Sequence, residues 1–134
     1  MKFNARKLTD NDYELLVSWW KWWRWTPIPK NFLPDNGTGG IMIEKDNTPV
    51  VAGFIYYTNS DAVVVEWIIS NPDYKDKNRK QAVEVLLNTI EEVCKKQGKQ
   101  YMFSIGRSKQ LIDTHKKLGW VVDDKPSYEI VKVI

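Results

Sequence analysis

VVVEWIISNPDYKDKNRKQAVEVLL, Val63 to Leu87, changes its hydrophobic period halfway along. The first part is β-branched and almost continuously apolar, as a strand in a sheet covered on both faces requires. Asn71 and Pro72 break that run, and a charged loop follows. From Lys80 the apolar residues Ala82, Val83, Leu86, Leu87, Ile90, Val93 and Cys94 mark one side of a long helix that reaches Gln97 and is stopped by Gly98. A buried strand that feeds a long amphipathic helix through a polar loop points to an α/β layer structure.

Upstream, "GGIMIEK" and "PVVAGFIYYT" read as two strands joined by the turn "DNT", and "NSD" turns the chain into a third, "AVVVEWIIS". "KFNARKL" alternates as a first strand, after which Thr9 and Asp12 form a capping-box-like start for a helix through "DYELLVSWWKWW". On that helix Leu16, Trp19, Trp20 and Trp23 share one face, while Lys21 and Arg24 lie off it. Pro27, Pro29 and Pro34 end the helix and hold an extended or turn-rich connection. Downstream, "QYMFSI" reads as a short strand and "KQLIDTHKKL" as a helix ending at Gly119. "WVVDD" and "YEIVKVI" then close the chain as a strand pair across the turn "DKPS". The expected fold is α/β in the α+β sense, a central mixed, mostly antiparallel sheet flanked by helices, with residues 1–134 as one domain.

Composition narrows the function. The chain has 134 residues, 43% hydrophobic and 28% charged, the values of an ordinary globular domain. No segment approaches the roughly 20 apolar residues of a membrane-spanning helix. "MKFNARKLTD" lacks the apolar run of a signal peptide, so the expected location is the cytoplasm, with no membrane partner. One cysteine and one histidine exclude an internal disulfide and an ordinary Cys/His metal site. The net charge of +3 is too mild for a basic nucleic-acid stripe, though it would not repel an anionic cofactor.

The order of elements resembles that of the GNAT acyltransferases, the acetyl-CoA-dependent N-acetyltransferases, over essentially the whole chain. Two segments carry the likeness. "LIDTHKKLGW", Leu111 to Trp120, is similar to the family's closing helix, and "VVVEWIISNPDY" to the central strand that leads into the cofactor helix. The resemblance implies acetyl-CoA or another acyl-CoA as donor and an amine as acceptor. It also implies that backbone groups of Ile68, Ile69 and Ser70 hold the pantetheine arm. The pyrophosphate would fall to Lys75, Lys77, Asn78, Arg79, Lys80, Gln81 and Ala82, and Ser108 joins the cofactor set. The family's phosphate loop carries an Arg/Gln-x-x-Gly-x-Gly/Ala pattern, because small residues let backbone N–H groups approach an anion at a helix N-terminus. Here Lys75 takes the leading basic position, while Asn78 and Lys80 stand where the glycines would be. Asn78 is expected to keep the turn through its tolerance of left-handed geometry. Either the basic residues replace backbone contacts by charge-assisted ones, or the loop is a solvated face and the site is weakened.

Transfer to an amine requires the neutral nucleophile, uncharged in about one lysine-like molecule per few thousand at pH 7, so a base helps. Glu66 matches the position of the general-base glutamate in several GNAT enzymes. Between Val65 and Trp67 its carboxyl is expected to titrate high, with a solvated or ion-paired carboxylate as the alternative. His115 stands where many members place a tyrosine that protonates the leaving sulfur, and is the expected acid, with a structural histidine as the alternative. Cys94 lies on the apolar side of its helix and reads as core.

"SWWKWWRWTPIP", Ser18 to Pro29, borders the acceptor side in this family. Core packing accounts for Trp19, Trp20 and Trp23. Trp22 and Trp25, with Arg24 and Lys21, could stack an aromatic or nucleobase acceptor, or pair with a second copy in a homodimer. The Trp-rich helix and "EWIISNP" also resemble small GNAT-related bacteriophage proteins, some of whose wider relatives modify DNA bases, which adds nucleic acid as an alternative acceptor. The rival to an enzyme is a non-catalytic GNAT-like module that binds a partner through its tryptophans.

Overall fold

The computed structural model describes residues 2–134. Five strands form one sheet in the order β1 (Asn4–Lys7), β2 (Gly40–Lys45), β3 (Thr48–Tyr57), β4 (Ala62–Ser70) and β5 (Tyr101–Ser104). The pairs from β1 to β4 are antiparallel, and β5 joins β4 in parallel. The parallel step needs a crossover, which α2 (Arg79–Lys96) supplies. Helix α1 (Tyr13–Trp22) lies between β1 and β2, and α3 (Lys109–Lys117) follows β5. The sheet is therefore the mixed, mostly antiparallel one expected, with helices on both faces.

Alternation along the strands builds both layers. Ile43, Val51 and Ile55 face Ala82, Leu86, Leu87 and Ile90 of α2, and Val63 and Val65 of β4 join them. Their neighbours Met42, Ala52 and Phe54 face the opposite way, against Leu16, Trp19 and Trp20 of α1. Trp20 is fully buried and stacks on Phe54 with 6.4 Å between ring centres. The first turn is fixed by Asp12, whose carboxylate accepts from the Thr9 backbone N–H at 2.8 Å and pairs with Arg6. Arg6 holds the Asp12 carboxyl below its ordinary range.

Three local expectations need correction. Helix α1 ends at Trp22, and Trp23 leaves the core face: Arg24 takes a left-handed φ of 65° that folds Trp25 back, its N–H donating to Trp20 O at 2.8 Å. Asn78 is not left-handed, with φ −86° and ψ 10°; its Oδ1 instead accepts from the Tyr74 hydroxyl at 2.5 Å. The closing strand pair does not form. Residues 120–134 contain no strand, and Ile130 and Val133 are each 92% exposed, so the burial that rewards an alternating strand is missing.

One irregularity positions the site. Ala52 pairs with Ile69 and Phe54 with Glu66, so Trp67 and Ile68 together oppose Gly53 in a β-bulge. Trp67 has φ 58°, rare for a bulky residue. Its ring is held by Nε1 donating to Tyr56 Oη at 2.8 Å and by edge contact with Phe32.

Truncating the buried ring that joins α1 to the sheet, Trp20→Ala, is expected to lower unfolding free energy by about 3–5 kcal/mol, read as a shifted urea midpoint at unchanged slope.

Candidate functional site: a cleft between two diverging strands

Strands β4 and β5 pair from Ala62 opposite Tyr101 to Val65 opposite Ser104, and the pairing stops at the bulge. Beyond it the strands separate, and a cleft of about 820 Å³ opens between them. Ile68, Ile69 and Ser70 form one wall and Ile105, Arg107 and Ser108 the other. The Asn71 N–H points to Val50 O in β3 at 2.8 Å. By the alternation along a strand, the backbone groups of Ser70 and Ile68 therefore point away from β3, into the cleft. Ser70 O accepts there from Trp23 Nε1 at 2.9 Å.

One end of the cleft is basic. Lys75, Arg79 and Lys80 line it where the N-terminus of α2 arrives. In the first turn of α2 the Arg79 N–H is taken by Asp76 O and the Ala82 N–H by Asn78 O, each at 3.2 Å. Among the described residues no backbone carbonyl accepts from Lys80 or Gln81, the unsatisfied donors expected of a helix start. The Arg79 guanidinium is directed to loop carbonyls: Nε donates to Tyr74 O at 3.0 Å, and Nη2 to Tyr74 O and to Asn71 O. It braces the loop, and Lys75 and Lys80 remain as the cations turned to the cleft. Asp76 pairs with Lys45 at 3.7 Å.

Trp23 and Trp25 also line the cleft, Trp23 beside Ser70 and Trp25 beside Arg107. Arg107 is a lining residue which the sequence did not single out. Its Nη1 and Nη2 donate to Glu66 Oε1 and Oε2 at 2.7 and 2.9 Å. Its Nε and Nη2 donate to Glu129 Oε2 and Oε1 at 3.2 and 2.7 Å. The guanidinium also lies 4.7 Å from the Trp67 ring centre and 5.7 Å from that of Trp25. Both carboxylates push the Arg107 pKa above its ordinary value, and Arg107 in turn holds the Glu129 carboxyl below its own.

The expected site residues thus divide. Ile68, Ile69, Ser70, Lys75, Arg79, Lys80, Ser108 and Trp25 all line the cleft, but Lys77, Asn78, Gln81, Ala82, Trp22 and Arg24 do not. Ala82 is core, Asn78 is buried in the loop, and Trp22 is 59% exposed against the edge of Trp23. Glu66 is not the isolated carboxylate that its apolar neighbours imply, because Arg107 covers both oxygens and the Trp67 N–H donates to Oε1 at 3.0 Å. His115 is buried away from the cleft: its Nδ1 bonds Leu111 O at 2.8 Å and its ring meets the edge of Trp120. Leu111 and Thr114 line the cleft, whereas the His115 ring packs on Trp120 instead, a choice made by packing because Leu111 and His115, four residues apart, share a helix face. The signal that could have found Arg107 is its place just after "QYMFSI", one strand over from the only acidic residue in β4.

Removing Arg107 would leave Glu66 buried and unpaired. Arg107→Met should cost about 2–3 kcal/mol, somewhat under a fully buried pair because Arg107 keeps contact with water. Arg107→Met with Glu66→Gln should recover most of that loss in urea titrations at neutral pH.

No family model matches the sequence, and no curated protein matches it. Solved structures do. An aminoglycoside acetyltransferase from an uncultured soil metagenomic sample superposes with a TM-score of 0.68 over 98% of this chain and 97% of its own, at 9% identity. A GCN5-related N-acetyltransferase from Ralstonia eutropha gives 0.67 over 96% and 99%, at 15% identity. A predicted acetyltransferase from Clostridium acetobutylicum, solved with acetyl-CoA, gives 0.63 over 97% and 96%, at 16% identity. At these identities the likeness is one of architecture, and the fold of this chain is that of the GNAT acetyltransferases.

Proposed function

We propose that the protein is an acyl-CoA-dependent N-acyltransferase acting on an amine. The observation that carries this reading is the cleft between β4 and β5, with exposed strand backbone on one wall and the start of α2 at its basic end. It fits an extended ligand with an anionic terminus. Backbone groups of Ile68 and the Ser70 N–H can pair with amides along an arm, beside Trp23, which is fixed on Ser70 O. The Lys80 first-turn amide, with no backbone acceptor among the described residues, and the Lys75 and Lys80 ammonium groups suit a pyrophosphate. The missing glycines fit this division of labour, because lysine side chains supply contacts that a glycine loop makes with backbone alone. Acetyl-CoA, when bound, supplies the activated acyl thioester. The chain binds, aligns and shields: Trp25 excludes water beside Arg107, which fixes the charge there, and Trp23 covers the strand wall at Ser70.

Glu66 serves in this reading as the anchor of Arg107, and His115 as part of the packing under α3, so catalysis rests on positioning and on amine already neutral in solution. The same two placements favour the second reading, a module that holds an acyl-CoA or a partner without turnover.

Calorimetric titration with acetyl-CoA, with desulfo-CoA as control, should give micromolar binding. Lys80→Glu should weaken it about tenfold or more by replacing a charge-assisted contact with repulsion, at unchanged helical circular dichroism. Absence of binding at millimolar acetyl-CoA would remove the acyltransferase reading.

A further inference from the structure

Arg107 has two carboxylate partners of unequal permanence. The Glu66 side chain is 8% exposed and anchored from a sheet strand, whereas that of Glu129 is 45% exposed. Glu129 lies on a segment without ladder bonds, between the exposed Tyr128 and Ile130. Among the described residues, the hydrogen bonds between Arg107 and Glu129 are the only ones that tie residues 126–134 to the rest of the chain. The Nη1/Nη2 edge of the guanidinium is therefore fixed to the fold, and the Nε/Nη2 edge is held by an exchangeable group.

We propose that this Nε/Nη2 edge, flanked by Trp25 and Trp67, is the carboxylate-binding site of the acceptor, and that Glu129 is its displaceable internal occupant. The acceptor is then an amino carboxylic acid, in the simplest case a free amino acid. This rests on the acyltransferase reading only for the word acceptor; the carboxylate site stands on its own geometry.

Three properties of the site support it. Glu66 locks the guanidinium plane, so an incoming carboxylate meets a preorganised two-donor fork. Exchange conserves charge, because a ligand carboxylate replaces the Glu129 carboxylate on the same two donors. An exposed ion pair is weak, so releasing Glu129 should reduce apparent affinity by only about fivefold. The rings of Trp25 and Trp67 pack on the guanidinium and steady it, and Arg107 and Trp25 line the cleft with Ile68 and Ser70, so the site opens there.

The test is calorimetric titration of the full chain with the standard L-amino acids and their α-carboxamides, with and without saturating CoA, on wild type, Glu129→Gln and Arg107→Lys. At least one amino acid should bind, and its carboxamide at least about tenfold more weakly. Glu129→Gln should tighten that amino acid about fivefold by removing the internal competitor, with the melting temperature nearly unchanged. Arg107→Lys keeps the charge that Glu66 needs but loses the fork, and should weaken binding. Equal affinity for acid and amide, or no gain in Glu129→Gln, overturns the proposal. So does the absence of binding by every amino acid while acetyl-CoA binds, an outcome that leaves the acyltransferase reading intact. Amino-acid binding with the expected acid-over-amide preference, but no acetyl-CoA binding, supports the carboxylate site and removes the acyltransferase reading.

Discussion

The bulge at Trp67 is the constraint on which the rest of the molecule depends. A regular β4 would continue its parallel ladder with β5 and leave a closed sheet. Instead, Trp67 and Ile68 oppose the single Gly53, the strand turns, and pairing with β5 ends at Val65 and Ser104. A bulky residue at positive φ costs of the order of 1–3 kcal/mol, and such strain persists only where surrounding contacts fix it. Here the Trp67 N–H meets Glu66 Oε1, its indole meets Tyr56 Oη and Phe32, and Arg107 lies over its ring. Strain in one residue thus becomes exposed strand backbone along one wall of a cleft.

The bulge also joins the cleft to its electrostatics. Glu66 immediately precedes the strained residue, and its carboxylate both accepts from the Trp67 N–H and anchors Arg107. One charged group therefore supports the backbone distortion and fixes the cation of the site, so the two cannot be varied independently. Lys75, Arg79 and Lys80 line the cleft near the start of α2, with Asp76 beside them, and Arg107 lines it with both its edges taken by Glu66 and Glu129.

The tryptophans divide by the same geometry. Trp19 and Trp20 fasten α1 to the sheet, while Trp23 and Trp25 serve the cleft because the left-handed Arg24 turns the chain between them. A run that looks uniform in sequence is thus half core and half site, with Trp22 left at the surface.

By itself the sequence determined the elements whose period is long and unbroken: the hairpin strands of Gly40–Lys45 and Thr48–Tyr57, the strand of Ala62–Ser70, and the helix from Arg79. Period is a local property, and burial on a sheet face or a helix stripe follows from it directly. Resemblance to the GNAT strand and loop, rather than period, pointed to Ile68, Ile69, Ser70, Lys75, Arg79 and Lys80, which line the cleft. What only the tertiary structure decided were the meetings of distant residues. Glu66, Arg107 and Glu129 are separated by 41 and 22 positions along the chain, and no spacing rule brings them together. The same holds for His115 and for the last residues. Helix α3 could turn either of two neighbouring residues to the cleft, and its packing chose Thr114. "YEIVKVI" alternates like a strand, yet a strand exists only where a neighbour pairs with it and a surface buries one face. Here that segment has neither, and among the described residues its ion pair to the rest of the chain is that of Glu129 with Arg107.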